Sequence, residues 1–209
     1  MSSITAIEVS SDDPNFREIY VDGEHVARID ASTSALLNLQ VGSEWAEQQT
    51  SAVAKHQESQ DARVMAMDLI SRRMWGSKEL YMRLTDRGVQ HQIAEQVVST
   101  LIEDDWLDDS AYAKALIAEW TRKEPAGKHF LRDKLFAKHI DRTIAEDAIA
   151  IYELTIPPKE GAKSCLTSRI AKIDLPLDDK SRNKLINAVL RRGFNAEVVH
   201  DALNQVLSE

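Results

Sequence analysis

Leu84-Thr85-Asp86-Arg87-Gly88-Val89-Gln90 closes one helical segment and opens another, and two later stretches repeat its chemistry. They are Leu135-Phe136-Ala137-Lys138-His139-Ile140-Asp141 and Val189-Leu190-Arg191-Arg192-Gly193-Phe194-Asn195. With Gly88, His139 and Gly193 aligned, the residue before is always basic and the residue after is always large and apolar. Two after the joint stands a polar residue (Gln90, Asp141, Asn195) where a new helix is capped. Eight before lie Leu80, Leu131 and Leu185; five after lie Ile93, Ile144 and Val198; ten after lie Val98, Ile149 and Leu203. The joints are 51 and 54 residues apart. Coincidence of so many positions across three copies marks an internal repeat.

Each unit reads as three helices. The spacing predicts helices over 61–74, 77–87 and 91–104, then 109–123, 127–138 and 141–155. Pro157-Pro158 punctuates, and 159–173, 178–192 and 195–207 follow. Glycine relieves the left-handed strain of a helix C-cap, and a basic residue beside it complements the negative end of the helix dipole. His139 stands where the other joints have Gly, so that joint is expected to be strained or closed differently. Between the first two units, Leu101 to Ala113 forms an acidic turn in which Asp108 or Asp109 starts a helix. Trp106 in that turn has two readings, a recognition aromatic or a buried wedge. The wedge is preferred because aromatics at helix joints usually fill the crevice.

Upstream of the repeats the periodicity changes. Ile4–Val9, Glu18–Val21 and Val26–Ile29 are β-prone, separated by Asp12-Asp13-Pro14-Asn15 and Asp22-Gly23-Glu24. A short helix is expected over 32–39, and the polar stretch 43–59 is a connecting helix or a flexible linker. The fold class is therefore mostly α, a tandem array of three three-helix repeats preceded by a small N-terminal β-meander. Its divisions are a head at 1–42, a connector at 43–60, and repeats at 61–108, 109–156 and 157–209.

Composition sets the outer limits. The 209 residues are 43% hydrophobic and 29% charged, an ordinary globular balance. Net charge is −8, of which residues 1–60 carry −7, with ten acids against three bases. Bulk charge thus argues against a protein that lives by gripping phosphates. One cysteine, Cys165, excludes an intramolecular disulfide and a cysteine-based zinc site, and a small buried hydrophobe is the plainer reading of it. The N-terminus lacks a signal-peptide pattern and no apolar run approaches the ~20 residues of a membrane span, so a soluble, cytoplasmic protein is expected. There is no Walker-type loop, no His-Glu-x-x-His pair, and no two of the six histidines fall four apart. Neither an enzyme, a cofactor nor a metal site is expected. Glu103, Asp104, Asp105, Asp108 and Asp109 read as caps and solvated surface, since their spacing is not that of an EF-hand.

Ser77-Lys78-Glu79-Leu80 with Leu84 and Arg87-Gly88-Val89, the run Trp106 to Ala113, Gly127 with Leu135, Lys138 and Ile140, and Leu190 to Phe194 together resemble the RecX family of recombinase regulators. The head with Asp22-Gly23-Glu24 resembles that of longer members, so the resemblance covers essentially the whole chain. His139 departs from the family's usual Gly. The resemblance implies a regulator that docks on the RecA filament on single-stranded DNA and inhibits recombination and coprotease activity. It carries with it roles in DNA repair and the SOS response. The expected partner is that filament, with direct DNA contact the weaker carry-over, no membrane, and the protein acting as a monomer.

Basic residues are the functional lead. Between 114 and 142 there are eight bases against four acids. The candidate partner-binding set is Arg72, Arg73, Lys78, Arg87, Arg122, Lys128, Arg132, Lys134, Lys138, Arg191 and Arg192. A solvated helix face is one account of them, and a basic stripe along an array is the other. An alternative function on the same residues is a nucleic-acid-binding module acting through the stripe on phosphates.

Overall fold

Alternating apolar residues build three strands at the N-terminus: β1 (Ile4–Val9), β2 (Phe16–Val21) and β3 (Glu24–Asp30), antiparallel in the order β1-β2-β3. The structure is a computed structural model, and it describes residues 2–173 and 177–208. Met1 and Glu209, the outer limits of the expected head and third repeat, lie outside the described residues. Asp22 and Gly23, at φ +50° and +86°, make the tight β2–β3 turn that needs two left-handed residues. Asp30 ends β3 and caps α1 (Ala31–Leu36), accepting from the Thr33 amide at 2.9 Å. That helix is shorter than expected, and Leu39 beyond it turns into the head's core with Ile4, Ile19, Val21, Ile29 and Val53.

Val53 belongs to α2 (Glu47–Arg72), one continuous helix of 26 residues. It runs through the expected boundary at 60/61, so the connector and the first helix of repeat one are a single element. The flexible-linker alternative does not hold. Good helix formers along this stretch, with no Gly or Pro, sustain it despite a thin apolar stripe.

The remaining helices fall close to the expected limits: α3 (Ser77–Asp86), α4 (His91–Glu103), α5 (Asp109–Thr121), α6 (Lys128–Ala137), α7 (Arg142–Thr155), α8 (Pro158–Ile170), α9 (Asp179–Leu190) and α10 (Ala196–Val206). With α2 they form three three-helix repeats. Gly88, His139 and Gly193 all lie in the left-handed region, at φ +91°, +59° and +84°. His139 does not close its joint differently. Its amide donates to Phe136 O at 2.9 Å and Ile140 N to Leu135 O at 3.1 Å, matching Gly88 N to Thr85 O at 2.9 Å and Val89 N to Leu84 O at 3.2 Å. Of the expected strain, what remains is the left-handed backbone itself, carried here by a residue with a Cβ.

The contacts divide the chain into two units, Met1–Arg72 with Tyr81–Thr100, and Arg73–Leu80 with Leu101–Glu209. The first holds the head core just described. The second holds two cores. One gathers Tyr112, Ala113, Leu116 and Ile117 of α5 with Leu131, Leu135, Ile140, Ala145, Ala148 and Ile149. The other gathers Ala162, Cys165 and Leu166 of α8 with Leu185, Ile186, Val189, Phe194, Val199, Ala202 and Leu203.

The acidic turn belongs to this second unit, and it corrects the expectation for Trp106. Asp105 is left-handed at φ +60°, and the amides of Trp106 and Leu107 both donate back to Leu101 O at 2.9 and 3.1 Å. This reversal turns Leu107 inward, at 5% exposure, and leaves Trp106 52% exposed. The buried side chain of the turn is Leu107. Asp108 caps α5 by accepting from Ala111 N at 2.9 Å.

Helix starts within this unit follow a pattern. The first amide of α3, Ser77 N, donates 2.7 Å to the carboxylate of Asp109, a residue of the following repeat. At α6, Gly127 has no side-chain cap; its amide donates to Arg192 O at 2.8 Å and His129 N to Gly193 O at 3.2 Å, again from the following repeat. The last repeat caps itself, with Asp178 accepting from Ser181 N at 2.8 Å.

Candidate partner interface

Five of the expected partner-binding residues are held by the fold. Arg73 and Lys138 both reach Glu79 on α3, at 3.1 and 3.2 Å, and the Tyr112 hydroxyl donates to the same carboxylate at 2.8 Å. Burial disfavours the Glu79 charge, but hydrogen bonds from Arg73, Tyr112 and Lys138 outweigh it and hold the carboxyl below its ordinary range. The Tyr112 phenol is pushed up to about 12 by burial and then by Glu79. Arg73 also lies over the Trp75 ring, 3.5 Å from its centroid. Beside this cluster runs a groove of about 440 Å³ whose lining includes Met74, Leu116, Glu119 and Trp120.

Arg192 is the third. It donates to the carbonyl oxygens of Trp120 (3.2 Å) in the last turn of α5 and of Glu124 and Pro125 (3.0 Å) in the segment after it, and its guanidinium lies 4.6 Å from the Phe130 ring centroid. Lys128 and Arg132 share Glu146 on α7, at 2.8 and 2.6 Å. Those two hydrogen bonds lower the Glu146 carboxyl to about 2.

The rest of the set faces solvent. In the second unit Lys78, Arg122, Lys134 and Arg191 are exposed, with the Lys134 ammonium 5.7 Å from the centre of the Phe130 ring. In the first unit Arg87 is exposed, and Arg72 pairs with Asp68 one helical turn earlier at 2.8 Å, a surface pairing of small worth. A single sequence marks all eleven as basic but gives no sign of which have a carboxylate or carbonyl waiting in the fold.

The titratable groups that could suggest catalysis have structural partners. His56 touches both Asp30, at 3.2 Å, and the Thr33 hydroxyl, but through the same ring nitrogen, Nε2. A catalytic relay uses the two nitrogens for different partners. This cluster ties α1 to α2, with hydrogen bonds from Ser32 and Thr33 outweighing burial to lower the Asp30 carboxyl. Cys165 is buried, and burial, with the charge of Glu124 beside it, pushes the thiol up to about 12, far from nucleophilic thiolate. Among the described residues no group of three or more His, Cys, Asp or Glu is placed to hold a metal ion. No helix of the described residues is long and apolar enough to cross a membrane.

A β-meander leading into three-helix repeats, with basic side chains partly spent on internal caps, defines a helical-repeat fold. No family model matches the chain. Curated relatives do. Regulatory protein RecX of Chlorobium limicola is 27% identical over 149 residues, 70% of this chain and 89% of that one. Regulatory protein RecX of Caldanaerobacter subterraneus is 24% identical over 90% and 91% of the two chains, and that of Bacillus subtilis 23% over 99% and 78%. A crystal structure of regulatory protein RecX matches the fold over 100% of both chains, with a TM-score of 0.79 at 20% identity. RecX from Lactobacillus salivarius covers 74% of this chain and 99% of its own, with a TM-score of 0.63 at 19% identity. In sequence along most of its length and in fold, the chain is similar to regulatory RecX proteins.

Proposed function

We propose that this protein is a non-enzymatic regulator that binds the RecA recombinase filament on single-stranded DNA and inhibits its recombination and coprotease activities. The observation that carries the reading is the likeness to regulatory RecX proteins along essentially the whole chain, head and repeats together. Repeat arrays suit long partner surfaces, and exposed cations on them set encounter rate and orientation. Within the candidate set, Lys78, Arg87, Arg122, Lys134 and Arg191 are the proposed contacts. Arg73, Lys138 and Arg192 then act indirectly, by fixing how successive helices meet. On this reading the protein works in the cytoplasm, as a monomer, within DNA repair, recombination and the SOS response, and its working repeats are 61–108, 109–156 and 157–209.

The test is RecA-driven ATP hydrolysis on single-stranded DNA, titrated with this protein. Inhibition at stoichiometric amounts is expected, relieved when Arg122, Lys134 and Arg191 are replaced together by alanine. Absence of both inhibition and binding to the filament would remove the reading. Tight binding to DNA alone, weakening steeply with salt, would favour the phosphate-binding alternative in its place.

A further inference from the structure

Lys123, Glu124 and Pro125 follow α5, while Ser164 and Ser168 stand one helical turn apart on α8 and Lys172 lies in the turn just past its end. With Arg169 they line a pocket of about 400 Å³, within the range of small-ligand sites. Its charges do not balance. Glu124 is the one carboxylate in the lining; Arg169 pairs with it closely, and Arg192 Nε approaches it at 3.7 Å. Lys123 and Lys172 are exposed, and among the described residues neither ammonium group has a hydrogen-bond or ion-pair partner. The same is true of the Ser164 and Ser168 hydroxyls.

A lysine near a helix C-terminus ordinarily complements the last carbonyls. Here that role is already filled. Past α5, Arg192 donates to the carbonyl oxygens of Trp120, Glu124 and Pro125, and at the end of α8 the amides of Ala171, Lys172 and Ile173 donate to Thr167, Arg169 and Ile170 O. Lys123 and Lys172 therefore remain as surplus positive charge beside two hydroxyl donors. Mobile ammonium groups with hydroxyls suit a tetrahedral oxyanion, whereas a planar carboxylate is matched by the guanidinium fork, which Glu124 already engages.

We propose that this pocket binds a phosphoryl oxyanion, supplied either by a free phosphate compound or by a nucleic-acid backbone. The inference goes beyond the regulatory reading and stands apart from it. Its test uses the full chain without any recombinase, so its failure leaves the regulatory reading untouched. Binding of pyrophosphate and ATP is measured by calorimetry, and of a labelled oligothymidylate by anisotropy. Lys123→Ala/Lys172→Ala is compared with Lys114→Ala/Lys159→Ala, which removes equal charge from exposed positions outside the pocket. The pocket pair is expected to weaken binding about tenfold and the control pair less than about twofold, with affinity falling as salt rises. Loss for pyrophosphate and ATP identifies a free phosphoryl group as ligand, and loss for the oligonucleotide alone identifies backbone phosphate; either supports the site. No binding of the three probes, or equal weakening by the two pairs, overturns it. Circular dichroism of both variants excludes loss of folding as the cause.

Discussion

His139 holds a left-handed backbone at φ +59° in a joint whose counterparts are glycines. A Cβ in that region costs roughly 1–2 kcal/mol, while glycine's freer unfolded chain returns about 0.4–1 of it. His139→Gly is therefore expected to stabilise the protein by about 0.5–1 kcal/mol in urea unfolding, with an unchanged denaturant slope. A loss of stability would mean that the imidazole contributes more than its backbone costs. In the acidic turn the two neighbours Trp106 and Leu107 separate sharply. Leu107→Ala is expected to cost about 2–4 kcal/mol, as core leucines do, whereas Trp106→Ala stays within about 0.5 kcal/mol. Thermal melts of the pair decide it. Large size favoured Trp106 as the wedge in the sequence. Burial followed the left-handed Asp105, whose conformation no pattern of apolar residues reveals.

Among the helices, periodicity was legible and partnership was not. Ends of α3 to α10 lie close to where caps, joints and apolar spacing place them, because those signals act within a few residues. The first and second repeats carry Gly76 and Gly127 just ahead of α3 and α6, and both are contact points. A Cβ on Gly76 would meet the Tyr112 ring at 3.1 Å; one on Gly127 would lie 2.3 Å from Gly193 O. Gly127 has an ordinary φ of −85°, so alanine is barred by its neighbour and not by its own backbone. Gly127→Ala should cost about 1–3 kcal/mol, the usual penalty of overpacking, since a backbone carbonyl cannot swing aside as a side chain does. Near-neutral unfolding of this variant would show that the helix start and the joint can part. The same long-range reach hid the roles of the basic residues: Lys138 and Glu79 are 59 residues apart, and Arg192 and Trp120 are 72 apart. Single-chain spacing says nothing about pairs so distant. It could not distinguish Arg192, bound to three carbonyls, from its exposed neighbour Arg191.

Across the molecule, repetition and charge are distributed differently. The first 60 residues carry nearly all of the net negative charge, and the repeats that follow are close to neutral, with bases and acids interleaved. Net charge therefore concealed local surplus such as the one between α5 and α8. It also concealed how many cations serve the repeats themselves. The successor-capping of α3 and α6, against the self-capping of α9, has a bearing on synthesis. A nascent chain leaves the ribosome N-terminus first, and domains close as their parts emerge. Ser77 finds its cap only once Asp109 has been made, and Gly127 only after Arg192. Each repeat thus completes one step behind translation, and Asp178, placed ahead of its own helix, brings that lag to an end.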